Sequence, residues 1–246
     1  MAEDAAEPRL HEWPGAERRR PPLSNPRYAV RAPLAVWLES EAGRFAASHG
    51  RYRVLDVGCG QKPYLPFFRP YTSEYVGMDF VENPFADLTG SVEAIPFDDG
   101  AFDLVLCTQV LEHCDDPALA VRELRRVLAP GGRVLASTHG VYLYHPSPQD
   151  LWRWTHAGLE KLFGDHADWA SLTVVPGAGT AATLAMLVAL YVELATKRNR
   201  FAGAGRLGIA TLNRVGFALD KRSPRLRVPA PGTLFANYHV TADAPA

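Results

Sequence analysis

The feature that most constrains the fold of this chain is the alternation of short apolar runs with stretches of helical periodicity. Such alternation is typical of a parallel sheet in which helices connect successive strands. The predicted strands are residues 52–57, 74–78, 86–88, 102–107 and 133–137. Helices are predicted over residues 28–48 and 116–128, and Pro130, Gly131 and Gly132 are expected to end the second of them. The pattern predicts an α/β, doubly wound and mostly parallel sheet.

The two ends of the chain depart from this pattern. A length of 246 residues suits one domain, which we place at residues 27–246. Residues 1–26 are rich in Pro, Arg, Glu and Ala, and are expected to form a flexible or loosely docked lead-in without chemistry. The net charge is −1, yet residues 193–233 carry nine Lys or Arg against two acids. Residues 177–230 are predicted to be a helical insertion with a basic and an apolar part.

A glycine turn after the first predicted strand, residues 56–64, marks the expected ligand site. Ligands of such sheets lie beyond the carboxyl ends of the strands, and Gly58 and Gly60 let the backbone pass close to one. Asp79 follows Gly60 by nineteen residues, where a carboxylate can accept hydrogen bonds from both ribose hydroxyls. Dinucleotide-binding sheets share this layout, but Pro63 replaces the glycine that their helix packing needs. These features predict a nucleoside ligand and disfavour pyrophosphate.

Five motifs in order resemble the class I S-adenosylmethionine (SAM)-dependent methyltransferases of the type 11 branch. They are VLDVGCG at 54–60, VGMD at 76–79, IPFDDGAFDLV at 95–105, VLEH at 110–113 and RVLAPGG at 126–132. The resemblance implies a Rossmann-like sheet of seven strands whose last strand is antiparallel, with the 177–230 insertion before it. It also implies that SAM lies across the strand ends.

The resemblance assigns a role to each predicted cofactor residue. Asp56, with the glycine turn, would face the methionine part of SAM, and Asp79 would hold the ribose. Ser91 stands where the family usually has an acid that reads adenine, so a hydroxyl is left for that contact. Residues 107–109 would line the pocket near the sulfonium. The full predicted set is Asp56, Gly58, Cys59, Gly60, Asp79, Phe80, Ser91, Val92, Glu93, Cys107, Thr108 and Gln109.

Candidate catalytic residues follow from the chemistry of methyl transfer. Displacement at a sulfonium needs mainly alignment, but a hydroxyl acceptor must also lose a proton, for which histidine is suited. His113, His139 and His145 are the candidate bases, and His113 also has a structural interpretation within its motif. Asp150 is a candidate partner of His145; alternatively, Asp150 or Thr155 caps the following helix. Transfer to oxygen is preferred over transfer to nitrogen.

The acceptor class stays open at this stage. It is a small-molecule, glycan or lipid-linked acceptor, and the alternative function is a non-catalytic binding or scaffold protein with this fold. The span 172–192 is uncharged, but Pro176, Gly177 and Gly179 leave its helical part, 180–192, too short to cross a bilayer. That helix is expected to be buried, to cover the active site or to lie at a membrane interface.

Other partners are not expected. The basic residues are not interleaved with aromatics, so nucleic acid is not predicted as a partner. Cys107, His113 and Cys114 do not match a zinc-ligand spacing, and no metal is predicted. Three cysteines without a framework spacing, and no apolar core of a secretory signal, predict a cytoplasmic protein with peripheral membrane contact as an option.

Overall fold

A computed structural model describes residues 13–146, 148–198 and 201–246. Residues 1–12 of the predicted lead-in, Ser147, Asn199 and Arg200 lie outside the described residues. The described chain contains one seven-stranded sheet. Its strands are β1 (Tyr52–Val57), β2 (Thr72–Asp79), β3 (Leu88–Thr89), β4 (Phe102–Thr108), β5 (Leu128–His139), β6 (Ser171–Pro176) and β7 (Asn237–Asp243).

The sheet has the strand order β3-β2-β1-β4-β5-β7-β6. The strands β1 to β5 pair in parallel, whereas β7 lies antiparallel between β5 and β6. The central strands β1 and β4 are buried along most of their length, as expected for a parallel sheet covered on both faces. The predicted Rossmann-like fold with an antiparallel last strand is confirmed.

Helices cover both faces of the sheet. They are α1 (Ala16–Arg19), α2 (Tyr28–His49), α3 (Leu65–Phe68), α4 (Pro117–Arg126), α5 (His156–His166), α6 (Thr180–Thr196) and α7 (Ala202–Arg222). α4 begins where Asp116 accepts a hydrogen bond from the Leu119 backbone, with a proline in the first turn. α4 ends before Pro130, and β5 includes Pro130, Gly131 and Gly132. Those residues therefore begin the strand as an irregular segment instead of ending the helix, and the pairing register with β4 shifts there.

Residues 13–26, expected to be flexible or loosely docked, make specific contacts with the glycine turn. The Trp13 indole donates to the Lys62 carbonyl at 2.9 Å, and the Arg19 guanidinium donates to the Pro63 carbonyl at 2.5 Å. These bonds satisfy carbonyls of a tight turn that does not belong to a helix or strand. The lead-in thus covers one wall of the ligand site.

The predicted insertion is a close-packed hairpin of α6 and α7. Gly216 permits the close approach, because a Cβ there would lie 2.9 Å from the Ala182 Cα. Asp220 of α7 accepts hydrogen bonds from the backbone nitrogens of Ala181 and Ala182, which caps the first turn of α6. Among the described residues, no helix combines the length and the apolar character that crossing a bilayer requires.

Candidate functional site

A cavity of about 920 Å³ lies beyond the carboxyl ends of β1, β2, β4 and β5. Each of these strands ends in a loop that contributes to its wall, as expected for a doubly wound sheet. All the predicted cofactor residues line this cavity except Asp56 and Cys107. His113, His139 and His145 line it too, whereas Asp150 does not. One cavity therefore joins the cofactor and acceptor residues that the sequence predicted.

The glycine turn has the backbone conformation that its sequence predicts. Gly58 and Gly60 have φ angles of +66° and +51°, a region that residues with a Cβ rarely adopt. A Cβ on Gly58 would also lie 2.3 Å from the Val110 Cγ2 atom. The Gly60 N–H donates to Asp79 Oδ2 at 2.7 Å, so the ends of β1 and β2 are joined directly at the cavity wall.

Asp56 and Cys107 lie inside the sheet and not at the cavity surface, which differs from their predicted positions. Tyr75 donates from its hydroxyl to Asp56 Oδ2 at 2.7 Å. Burial raises the pKa of Asp56 to about 7, and the Tyr75 hydrogen bond opposes that rise. Cys107 is fully buried, and desolvation raises its thiol pKa. Both side chains occur at strand positions that point into the packed layer, so neither contacts the cavity directly.

A buried lysine that was not predicted from the sequence supports the glycine turn. Lys62 is 8% exposed and pairs with Asp87 Oδ2 at 2.5 Å. The same oxygen accepts a hydrogen bond from the Gly77 backbone nitrogen at 2.6 Å. Because the Asp87 carboxylate binds both the Lys62 ammonium and the Gly77 backbone nitrogen, the ion pair links the glycine turn to the segment before β3. The signal available in the sequence for this role was a lysine within the predicted glycine turn.

The predicted adenine end is built by the segment after β3. Ser91 Oγ accepts a hydrogen bond from the Glu93 backbone nitrogen at 3.1 Å, which turns the chain at the cavity wall. Glu93 Oε1 accepts from the Asp116 backbone nitrogen at 3.0 Å. Phe80 is 62% exposed and offers a ring at the rim. The Ser91 hydroxyl thus has a local structural role in addition to its predicted contact with adenine.

Three histidines meet at the wall of the same cavity. His113 lies on a 3-10 turn after β4, His139 ends β5, and His145 lies in the loop that follows. The His145 ring centroid lies 5.2 Å from that of His113 and 5.3 Å from that of His139. His139 also stacks on Tyr142 with centroids 3.9 Å apart. The structure therefore brings together the three histidines that the sequence predicted as candidate bases.

Glu112 lies beneath these histidines, and sequence reasoning missed it. The residue is fully buried, and Oε2 accepts a hydrogen bond from Thr138 at 2.8 Å. Burial raises the pKa of Glu112 to about 7. Burial also lowers the pKa of His139 to about 3, to which the neighbouring His145 contributes. The signal available in the sequence was an acidic residue directly before His113.

The loop that carries His145 is attached to the 3-10 turn by several hydrogen bonds. The Leu151 backbone nitrogen donates to the Glu112 carbonyl at 2.9 Å, and the Trp152 indole donates to the Cys114 carbonyl at 2.7 Å. The Gln149 amide donates to the His113 carbonyl at 2.7 Å. These bonds place the loop over the turn and set the position of His145.

Asp150 differs from its predicted role. Its carboxylate accepts from the His145 backbone nitrogen at 3.0 Å and pairs with Arg153 at 2.5 Å. The Arg153 bond and the backbone bond lower the pKa of Asp150, so it stays ionised. Asp150 therefore holds the loop main chain and not the imidazole, and Thr155, the other predicted cap, is the residue that caps α5.

The remaining wall comes from the terminal segments. Arg18, Arg27 and Arg31 line the cavity, and Arg18 belongs to the 1–26 lead-in, where no chemistry was expected. Leu190 and Leu194 of α6 line it as well. The insertion therefore covers the site, one of the three alternatives for this helix. The cavity consequently has a cationic wall and an apolar wall outside the strand ends.

The sequence matches the family model described as a methyltransferase domain over residues 55–136. A 115-residue stretch is 36% identical to malonyl-(acyl-carrier protein) O-methyltransferase of Erwinia pyrifoliae, covering 41% of this chain and 44% of that protein. A 147-residue stretch is 31% identical to ubiquinone biosynthesis O-methyltransferase of Pseudomonas paraeruginosa, covering 52% and 58%. The chain thus spans about half the length of these relatives.

The solved structure of the (4+2)-cyclase SpnF has a similar fold. Its TM-score with this chain is 0.54 at 18% sequence identity, and the match covers 86% of this chain and 81% of that one. At this identity the likeness concerns the fold alone.

Proposed function

We propose that the chain is a class I SAM-dependent methyltransferase of the type 11 branch, supported by the match of residues 55–136 to a methyltransferase-domain family model, and that it transfers a methyl group from SAM to an acceptor oxygen. The observation that carries this proposal is the single cavity that joins the glycine turn and Asp79 to the histidine cluster. A methyl donor and a hydroxyl bound at the two ends of this cavity would meet near the end of β4. Alignment of that kind supplies most of the catalysis for a reactive sulfonium.

The hydrogen-bonding groups at the cofactor end of the cavity suit SAM. In our proposal the Asp79 carboxylate accepts from the ribose hydroxyls, and Phe80 and Ser91 bound the adenine. The positive φ angles at Gly58 and Gly60 allow the methionine part to lie against backbone. Asp56 does not line the cavity, so in our proposal it supports the glycine turn from within the sheet.

The acceptor end favours oxygen over nitrogen in this proposal. A hydroxyl must lose its proton when the new C–O bond forms, and proton acceptors are concentrated at this end of the cavity. They are His113, His145 and the buried Glu112. The low pKa of His139 makes it a weak base, so it serves as a packing partner of Tyr142 instead.

The two outer walls favour an acceptor with an anionic group and an apolar part. Arg18 and Arg31 suit a carboxylate or a phosphate, and burial together with the neighbouring arginines lowers the pKa of Arg31. Leu190 and Leu194 suit an alkyl or prenyl chain. We propose a lipid-like or carrier-linked hydroxyl compound as the acceptor class.

SAM affinity measured by calorimetry tests the cofactor half of the proposal. Asp79→Ala is expected to weaken SAM binding at least ten-fold, because a bidentate contact to the ribose is lost. Glu82→Ala is the matched control, since Glu82 is an exposed acid in the same loop and does not line the cavity. Wild-type protein that does not bind SAM would overturn the proposal.

A methyl-transfer assay with radiolabelled SAM tests the acceptor half. Hydroxylated acceptors with and without an acidic group and an alkyl chain should be turned over unequally, with those carrying both preferred. SAM binding without turnover over the whole panel would favour the alternative, a binding or scaffold protein. The (4+2)-cyclase with the same fold illustrates that this fold is also found in a protein named for another reaction.

We further propose that the α6–α7 hairpin contacts an anionic membrane surface. Val188, Tyr191 and Leu194 of α6 are 50%, 66% and 69% exposed, and Lys197 and Arg198 follow at its end. Apolar side chains beside basic ones are typical of interfacial helices.

Co-sedimentation with vesicles tests this contact. Binding should require an anionic lipid, and Val188→Glu should reduce it. Val36→Glu is the matched control, because Val36 is 68% exposed on α2, outside the hairpin. Equal sedimentation with neutral vesicles, or equal loss in both variants, would refute the proposal.

A further inference from the structure

Three side chains at the acceptor end have the composition of a metal site. Glu112, His113 and His145 each offer one ligand atom, and these atoms lie within 4.8 Å of one another. Two of the residues come from the 3-10 turn after β4, and His145 comes from the loop after β5. Two histidines and one carboxylate with open positions are a common ligand set for divalent transition metals.

Two polar atoms of this cluster are buried without a hydrogen bond. Glu112 is fully buried, and its Oε1 makes no hydrogen bond among the described residues but lies 3.4 Å from His139 Nε2. His145 Nε2 is likewise buried and unpartnered within the described chain. Buried polar atoms are normally satisfied, so a pair of such atoms at one point indicates a missing ligand. A ligand that accepts lone pairs from a carboxylate oxygen and an imidazole nitrogen is a cation.

The second polar atom of the Glu112 side chain, and that of the His113 ring, are hydrogen-bonded within the protein. Glu112 Oε2 accepts a hydrogen bond from Thr138 at 2.8 Å. His113 Nδ1 contacts the Gln149 carbonyl, which can only accept, so Nδ1 carries the proton and Nε2 keeps its lone pair. Such outer hydrogen bonds fix the tautomer and orientation of metal-binding histidines.

We propose that Glu112, His113 and His145 bind one divalent first-row transition metal ion of the zinc kind, with an open coordination position that faces the cavity. A tetrahedral ion with bonds of 2.0–2.2 Å separates its ligands by about 3.4 Å. The three ligand atoms lie within 4.8 Å of one another, so the side chains must move closer together to bind the ion. His139 is not one of the three proposed ligands; its ring stacks on Tyr142, and its Nε2 lies 3.4 Å from Glu112 Oε1 beside the site.

The role of the ion rests on the proposed methyl transfer, and with the ion bound, Glu112, His113 and His145 serve as its ligands and no longer as the proton acceptors. An acceptor hydroxyl bound at the open position loses its proton to solvent, because the ion lowers the hydroxyl pKa. The oxygen then forms the C–O bond as the methyl–sulfur bond breaks, and the sulfonium leaves as a neutral thioether. This assignment explains how a buried carboxylate and two histidines come to lie at the end where the acceptor would enter.

Metal binding by tag-free protein tests the site without reference to activity. Protein stripped with a chelator should take up one Co²⁺ per chain with a visible absorption band, and Zn²⁺ should displace it. His145→Ala and Glu112→Gln should weaken Co²⁺ binding at least ten-fold. Glu112→Gln keeps the shape of the side chain, so it controls for a folding defect. His166→Ala is the matched control, because His166 is exposed on α5.

Stoichiometric uptake that is lost in both cluster variants and kept in His166→Ala would support the site. Wild-type protein without stoichiometric Co²⁺, or equal binding by all variants, would overturn it. SAM calorimetry on the same samples separates the two proposals. SAM binding without metal removes the metal site alone, whereas metal binding without SAM removes the proposed methyl transfer alone.

Discussion

Gly58 offers a quantitative test of how the cofactor wall is built. A Cβ at this position meets two penalties, a left-handed φ of +66° and a distance of 2.3 Å to the Val110 Cγ2 atom. Gly60 is its matched control, because its φ is +51° but a Cβ there would meet nothing within 4 Å. The two glycines therefore separate backbone strain from steric overlap.

The magnitudes follow from these two terms. A left-handed residue with a Cβ costs roughly 1–2 kcal/mol, and the lower chain entropy of unfolded alanine offsets about 0.4–1 kcal/mol of that. Gly60→Ala should therefore reduce the free energy of unfolding by about 0–1.6 kcal/mol. Gly58→Ala adds overpacking against a stiff β-branched side chain, which costs about 1–3 kcal/mol more.

Urea denaturation of four variants measures the overlap directly. Val110→Ala removes the methyl group that the new Cβ would meet, so Gly58→Ala should cost about 1–3 kcal/mol less in that background than in the wild type. SAM affinity of the same variants reports whether the turn keeps its shape. Equal costs for the two glycine variants, together with no coupling to Val110, would refute this account of the wall.

Two further predictions concern the buried acid and the helical hairpin. Burial raises the folded pKa of Asp56 to about 7, so the folded state binds more protons than the unfolded state between pH 4 and 7, and stability from this group falls as the pH rises. In the wild type, this group should lower the free energy of unfolding by about 2–3 kcal/mol between pH 5 and 8. Asp56→Asn should abolish that decrease, as measured by urea midpoints, and an unchanged pH dependence in the variant would contradict the prediction. Gly216→Val should lower the free energy of unfolding by about 1–3 kcal/mol more than Gly208→Val, because a Cβ on Gly216 lies 2.9 Å from the Ala182 Cα and one on Gly208 meets nothing. Equal thermal midpoints of these two variants would show that the hairpin does not need the close approach.

The sheet could be predicted because its signals are local. The apolar run of β1 and the glycine turn after it are read from neighbouring residues, and strands in this sheet are buried on both faces. The antiparallel last strand was predicted from the resemblance to the methyltransferase family. The extent of β5 was not predicted, since Pro130 reads as a helix stop in sequence but tolerates the start of an irregular strand.

The acceptor end could be predicted only in part. The three histidines were identified by residue type, but nothing local shows that Glu112 lies under them, because that contact depends on how the loop after β5 folds back. Arg18 and Arg31 were missed for the same reason, since they reach the cavity only when the N-terminal segment packs on the turn.

The sequence by itself determined the strands, the glycine turn and the nucleoside-type layout of Gly60 and Asp79. These depend on hydrophobic periodicity and on backbone angles, which are properties of a few adjacent residues. Only the tertiary structure decided which side chains reach the cavity. It turned Asp56 inward and brought His145 to Glu112, because burial and hydrogen bonds act between segments far apart in the chain. The bond from the His145 backbone to Asp150 spans only five residues, and the fold of the loop decided it.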